Sequence, residues 1–570
     1  MRAMSEEREM SGLAAALRVH GWFIGTAAVC AAAFAWMISY GSFRLAAADS
    51  FGTFYDYQAA ALLHGRWDVP EVALGGEAFV VGGRIFGYFG PTPALLRLPF
   101  ALAGAGFGQL TRGFMLADYV ACLVAAYLIL GCAARWGGPG RRPGPGMVVM
   151  FTTAVGLGST LFFLGSRAYV YHEAILCGAA FALWATYAGL RYLAEPGGRW
   201  WIGALGCGVL AVHARPPIGL FALTFLGATA LARTFRSAAR ATTKGQSDAV
   251  SSAVLQPALS SPAARAEAPR YYRELRRHLA VGVLSLLGVL SYNAVSYLKF
   301  GTIEGCPLRY NVQYTPERLA ALDGRNFHLS NLRFNFDAYV RLPSLSVRRG
   351  FPYVYAKFID RKRYPESRIA YRDATLAMPY GMPALCFLAI GGSILAVFAA
   401  PGRVRPLAVL WVAAVPVTLA MLTAVAVTQR YTADFSPALI SLAAFGLVAC
   451  GGAAAQWRAL LRWILIALTC LSVAVTAAIT LHHQRAVVWG VPVEVQREYD
   501  HWRQRVDHLF GGGPGASSSS TSRPRAERTA HLRALRSPSS VVRPLPSVVP
   551  WSFGPLVLCL KRRLVRKHAG

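Results

Sequence analysis

The residues best suited to chemistry stand in one stretch, Ser50-Phe-Gly-Thr-Phe-Tyr-Asp56-Tyr-Gln-Ala-Ala-Ala-Leu-Leu-His64-Gly-Arg-Trp-Asp68-Val-Pro. Asp56 opens an amphipathic segment (Phe54 to Gly65), and Asp49 precedes it as a rival acid. A carboxylate in the first turn of a helix has a plain structural use, because the dipole stabilises it there by about 0.3–1 kcal/mol. It also has a chemical use, as a general base taking the proton of an acceptor hydroxyl. Residue types alone favour the structural use. Ala60, Leu63 and Trp67 recur at three- or four-residue spacing, which suits a helix lying on a membrane interface.

A second stretch, Gly82-Gly-Arg84-Ile-Phe-Gly-Tyr88-Phe-Gly-Pro91-Thr-Pro93-Ala-Leu-Leu-Arg97-Leu-Pro, turns through glycine and proline into an apolar helix running to about Ala105. It reads either as loop punctuation or as a place where Arg84 and Arg97 face phosphate or lipid headgroups. A guanidinium fork matches phosphate oxygens two at a time. Six further charges stand near the ends of apolar runs: Arg167, His172, Glu173, Arg215, Arg430 and Asp434. A charge at the middle of a membrane helix costs about 2.5–3.5 kcal/mol on insertion scales. Snorkelling to the interface accounts for any one of them; as a group they point to function. His172 alone is weak evidence for a metal, and Glu173 can serve as its hydrogen-bond partner. His482-His483, at the end of the last apolar run, reads as interfacial.

Several chemistries are excluded by what is missing. The sequence has no GxxxxGK[ST] loop, no HExxH, no dinucleotide fingerprint after a strand and no Asp-x-Asp pair. Hydrolysis of ATP is therefore not expected. The ten cysteines are scattered singly, mostly inside apolar runs, and form no CxxC pair. They read as small buried hydrophobes rather than a metal or disulfide framework.

The elements that must position these residues are transmembrane helices. Hydrophobic residues make up 55% of the 570 and charged residues only 15%, against about 25% charged in a soluble domain. Charge-poor runs alternate with short Arg-dense connectors, as a bilayer imposes on spans of about 20 residues. The expected class is an all-α polytopic membrane protein with about eleven transmembrane helices and two large extracytoplasmic loops. The spans fall near 21–40, 113–134, 147–165, 173–193, 200–214, 217–232, 278–297, 376–399, 407–427, 433–452 and 459–480. The loops cover 41–112 and 298–375. With residues 1–20 in the cytoplasm and 21–40 a retained first helix, the basic connectors fall on the cytoplasmic side. The connector 233–277 carries nine Lys/Arg against three acids. This divides the chain into an N-terminal module (21–232), a basic and partly disordered linker (233–277), a C-terminal module (278–480) and a tail (481–570) expected to be disordered after 510. The apolar piece Val548–Leu560 is too short to span and suits a membrane surface. The net charge of +31 belongs to these connectors and to anionic headgroups, so nucleic acid is not an expected partner.

The first loop acid, the amphipathic helix after it and Tyr88-Phe-Gly-Pro91-Thr-Pro93-Ala-Leu-Leu together resemble the C-type (GT-C) polytopic glycosyltransferases. The nearest in style are bacterial relatives of protein O-mannosyltransferases and of the lipid A aminoarabinose transferase. Softer matches are Tyr169-Val-Tyr-His172-Glu173, Ala214-Arg215-Pro-Pro, Tyr292-Asn293 before Lys299-Phe-Gly301, and Gln429-Arg430-Tyr431-x-x-Asp434-Phe-x-Pro437. The likeness runs over about residues 20–510. It implies transfer of a sugar from a polyprenyl-phosphate donor to a glycan, lipid or protein acceptor on the extracytoplasmic side, usually with inversion, in a multi-pass protein of the bacterial inner membrane. It implies Asp56 as base, with Asp49 the alternative because the spacing of the two acids departs from the family's pair. Arg84, Arg167, Arg215 and Arg430 would hold the departing phosphate, with Tyr88, His172, Glu173 and Asp434 lining the same site. No cofactor is indicated, although the likeness leaves room for a divalent metal. The rival class is a transporter or flippase of lipid-linked saccharides; such folds commonly carry internal repeats, and none is evident between the halves.

Overall fold

The protein is described by a computed structural model that covers residues 2–509 apart from 50, 139, 141, 196–198, 252–261, 349, 400, 487–490 and 492. The tail beyond 510, with Val548–Leu560, lies outside the described residues. Residues Met1–Gly512 form one compact unit. It is an all-α polytopic membrane protein. Each expected span coincides with a helical segment. Eight of them are long and apolar enough to cross a bilayer: His20–Ile38, Thr111–Trp136, Val170–Ala194, Pro216–Arg236, Tyr272–Phe300, Val404–Thr423, Gln429–Gly451 and Ala455–Gln484. A ninth is the pair Pro145–Gly156 and Thr160–Ser166, bent by 43°. The two remaining segments, Trp200–Ala214 and Pro383–Phe398, are apolar but shorter. The basic connector carries helix on both flanks, Pro216–Ser251 and Pro262–Phe300, and its middle lies outside the described residues.

Burial follows the role of each helix. Val170–Ala194 and Gln429–Gly451 are the most enclosed spans, whereas Tyr272–Phe300 is mostly exposed and presents Leu279, Val283, Leu286, Leu287 and Leu290 outward. In water that face would be a liability; in a bilayer it is the solvent-matched surface. Small residues set the closest approach: a Cβ on Gly446 would lie 2.0 Å from the Leu388 carbonyl oxygen, so only glycine lets these two segments meet backbone to backbone.

The bend in the third span has a local cause. Leu157-Gly158 ends the first helix, and the Ser159 hydroxyl accepts the Leu161 N–H at 3.2 Å to cap the next. Thr160 Oγ1 then meets Thr432 Oγ1 at 2.7 Å, which ties the bend to the segment carrying Arg430.

Both large loops fold onto one end of the bundle. In the first, helix Phe54–Leu63 packs on helix Thr92–Ala103, and a hairpin pairs Phe79–Val81 with Arg84–Phe86. A small apolar core of Phe54, Tyr55, Ala59, Phe89 and Ala94 seats this loop on Tyr169, Val170 and Tyr171 at the start of a span. The helix stops at Leu63, so Trp67 lies beyond it and receives Lys299 Nζ over its ring at 5.6 Å. The regular spacing of Ala60, Leu63 and Trp67 was therefore not one helix face. In the second loop, strand Tyr371–Arg372 pairs in parallel with Ala426–Val427. That pairing fastens the end of the loop to the residues just before Arg430.

Candidate functional site

Three groups of charges emerge at the loop end of the bundle, and each has its own geometry. The first contains Asp56. Its Oδ1 accepts Arg97 Nε at 3.1 Å, while Arg97 Nη1 donates to Glu173 Oε1 at 2.5 Å and Nη2 to Thr111 Oγ1 at 3.1 Å. Arg97 is only 1% exposed. Arg97 therefore faces two carboxylates rather than headgroups, and Glu173 bonds Arg97 rather than its neighbour His172. Asp56 Oδ2 is buried with no hydrogen-bond partner. Burial pushes the Asp56 carboxyl above the ordinary carboxylate range, and the Arg97 guanidinium opposes that rise. Asp56 is thus in the first helical turn, as its structural use requires, and one of its oxygens is buried without a hydrogen bond.

The second group is Asp49 with Arg112. Arg112 Nε and Nη2 each donate to one Asp49 oxygen at 2.7 Å, a closed two-pronged pair. Burial again raises the Asp49 carboxyl, with Arg112 opposing. Both oxygens are engaged, which separates Asp49 from Asp56 as a candidate base.

The third group gathers most of the other residues singled out by sequence. Arg430 lies in the 3-10 turn Gln429–Phe435, held by the Gln429 side chain, whose Oε1 accepts the Leu376 N–H at 2.7 Å. The guanidinium carbon of Arg430 stands 4.5 Å from the Tyr171 ring centre and 5.4 Å from that of Tyr431. Among the described residues it has no hydrogen bond or ion pair, and its Nε is buried without a partner. Cation–π contacts stabilise a guanidinium without consuming its N–H groups, so its donors stay available to an anion.

Around it stand Arg167, whose Nη2 donates to His483 Nε2 at 2.7 Å and whose guanidinium lies 5.0 Å from the Tyr169 ring, and Arg215. Arg215 grips Asp434 through Nε at 2.8 Å and Nη2 at 2.7 Å, under the Tyr431 ring at 4.7 Å. Tyr88 stacks on Phe89 at 4.4 Å and reaches Tyr171 at 6.3 Å. His172 donates its Nδ1–H to the Leu164 carbonyl, 2.9 Å away, with its ring 6.3 Å from that of His483. The structure thus joins Tyr88, Arg167, His172, Arg215, Arg430 and Asp434. Arg84 does not join them: it is exposed on the hairpin.

Sequence reasoning passed over several members of this cluster. Tyr169, Tyr171 and Tyr431 lay inside the quoted motifs but were given no role. His483, expected at an interface, bonds Arg167 instead. Asp373 in the second loop is bonded through its N–H to the Val427 carbonyl at 2.8 Å, just before Arg430, and only the tertiary fold reveals it. Among the described residues no group of three His, Cys, Asp or Glu side chains is placed to hold a metal ion.

The fold and site define an all-α membrane protein with an arginine- and tyrosine-lined cluster at one end of its bundle. No family model matches the sequence, and no curated protein matches it. Among solved structures, the archaeal oligosaccharyltransferase AglB from Archaeoglobus fulgidus, in complex with an inhibitory peptide and a dolichol-phosphate, is 13% identical with a TM-score of 0.44 over 93% of this chain and 61% of that one. The apo oligosaccharyltransferase of Archaeoglobus fulgidus is 12% identical, with a TM-score of 0.41 over 85% of this chain and 59% of that one. ArnT from Cupriavidus metallidurans bound to undecaprenyl phosphate is 13% identical, with a TM-score of 0.40 over 86% of this chain and 71% of that one. The chain spans about three fifths of the length of the two archaeal chains. Overlaps this loose leave function to be argued from the chain's own residues.

Proposed function

We propose that this protein is a glycosyltransferase that moves a sugar from a polyprenyl-phosphate donor to an acceptor hydroxyl on the extracytoplasmic side, with inversion. The observation that carries the reading is Arg430: a guanidinium braced by two tyrosine rings at a span end, with no hydrogen bond or ion pair among the described residues. A lipid-borne phosphate arrives at that depth, and negative charge grows on it as the glycosidic bond breaks. Fixed donors aimed at developing charge are usually the largest catalytic contribution.

The reaction balances simply. The acceptor oxygen forms a bond to the anomeric carbon as the bond from that carbon to the phosphate oxygen breaks. The bonding pair stays on the lipid phosphate, beside Arg430 and Arg167. The acceptor proton goes to Asp56, the first-loop acid that retains an unpartnered oxygen; a base whose affinity for protons is raised by burial works nearer neutral pH. Arg215 and Asp434 satisfy each other and hold Tyr431 against Arg430. The motif likeness to the C-type transferases supports the same assignment.

The test uses purified protein in liposomes with a polyprenyl-phosphate sugar and an acceptor extract. Arg430→Gln should lower the rate of transfer by about 10²–10³, Arg430→Lys should restore part of it, and Asp56→Asn should abolish it. Movement of the lipid across the bilayer with no new glycosidic bond would replace this reading with the flippase one.

A further inference from the structure

The second loop contributes a charge to the Arg430 cluster. Asp373 follows directly on strand Tyr371–Arg372, which runs parallel to Ala426–Val427 with Tyr371 opposite Ala426 and Arg372 opposite Val427. The Asp373 N–H donates to the Val427 carbonyl at 2.8 Å, and three residues on, the Leu376 N–H donates to the Gln429 side chain at 2.7 Å. The backbone is therefore stitched on both sides of Asp373 to the segment that ends in Arg430. Its carboxylate accepts the Tyr371 hydroxyl at 2.8 Å and is half-buried. It forms no ion pair with Arg430, but its backbone bond to Val427 sets it beside the segment three residues before Arg430.

We propose that Asp373 is a positioning residue that tunes the charge of the phosphate subsite so that the spent lipid phosphate leaves. This deepens the transferase reading and rests on it. A sugar-bearing lipid phosphate is a diester with one negative charge. The product is a monoester, whose second ionisation near pH 6 gives it close to two at neutral pH. Two guanidiniums alone would hold the product more tightly than the donor, and turnover would stall on release. A fixed carboxylate beside them repels each ligand in proportion to its charge. If its field weakens the singly charged donor by a given factor, it weakens the doubly charged product by the square of that factor. The second loop thereby favours exchange of product for donor without contacting the reacting carbon.

The experiment measures binding of undecaprenyl phosphate to the full chain in nanodiscs, with undecaprenol as the uncharged control. Asp373→Asn keeps an oxygen for the Tyr371 hydroxyl and removes only the charge. It should tighten the phosphate about 25-fold and lower the donor KM about fivefold, estimates for a charge acting through a partly solvated gap. It should also lower kcat through slow release and leave undecaprenol binding unchanged. Asp373→Glu should behave as the parent. Phosphate binding that is unchanged or weaker in Asp373→Asn overturns the proposal, as does an equal change for undecaprenol, which would mean a loosened loop. Should the unaltered protein fail to bind undecaprenyl phosphate, or Arg430→Gln bind it equally well, the transferase reading falls and this proposal with it.

Discussion

Replacing Arg97 by methionine puts the first-loop cluster to a quantitative test. The side chain is almost wholly buried, and its one charge serves two acids, Asp56 through Nε and Glu173 through Nη1, with Thr111 and the Pro93 carbonyl completing its bonds. Methionine fills much of the same volume but leaves both carboxylates without a cation. Removing one partner from a buried ion pair costs about 3–5 kcal/mol, and a cation shared by two acids belongs at the upper end of that range. The pH dependence carries a definite sign. Burial raises the Asp56 carboxyl in the folded protein and Arg97 lowers it, so the variant should raise it further. A group raised on folding contributes stability that is fully present below its unfolded value and is lost as pH rises through the folded one. Arg97→Met should therefore lose stability more steeply than the parent as pH climbs out of the carboxylate range, with the smallest deficit in acid. Intrinsic tryptophan fluorescence during thermal unfolding in detergent, at about pH 4 to 8, measures both the deficit and its slope. A loss below about 1 kcal/mol, the scale of an exposed pair, or a deficit that does not grow with pH, would refute the buried-cluster account.

Two further outcomes follow from the same geometry. Transfer activity should rise with pH along an acid limb centred above the ordinary carboxylate range, because Asp56 must lose its proton to act and burial opposes that loss; an acid limb at or below that range, in a pH–kcat/KM profile, would remove Asp56 from the role. Gly446→Ala should destabilise the bundle by about 1–3 kcal/mol through overpacking, since the added carbon would meet the Leu388 carbonyl; unchanged thermal stability in detergent would show that the two segments part easily.

Span positions were legible because hydropathy and connector charge report directly on the bilayer. All eleven expected segments are helical, and the two that stay short by length, Trp200–Ala214 and Pro383–Phe398, end at proline or glycine punctuation. Much of the charge cluster was legible for a related reason: snorkelling accounts for any one of Arg167, Arg215, Arg430 and Asp434, but less readily for the group. Their partners were not legible. Nothing in the order of residues says that Arg97 will serve Asp56 and Glu173, 41 and 76 positions away, or that Asp49 will close on Arg112. The tyrosines escaped because an aromatic residue at a span end is ordinary packing until a guanidinium is found over its ring. Asp373 escaped because its place depends on a two-residue strand pairing, too short to leave a periodic trace.

The bond between Arg167 and His483 joins residues separated by 316 positions, which has a consequence for how the protein is made. At translation speeds of about 5–20 residues per second, the arginine is added to the chain roughly 16–60 s before its imidazole partner exists. The cluster is therefore completed only when the helix Ala455–Gln484 is threaded into place, and a nascent chain that has inserted the helices before it is still chemically unfinished. A truncation between the turn Gln429–Phe435 and that helix keeps the residues that fasten both loops but lacks the imidazole that Arg167 bonds.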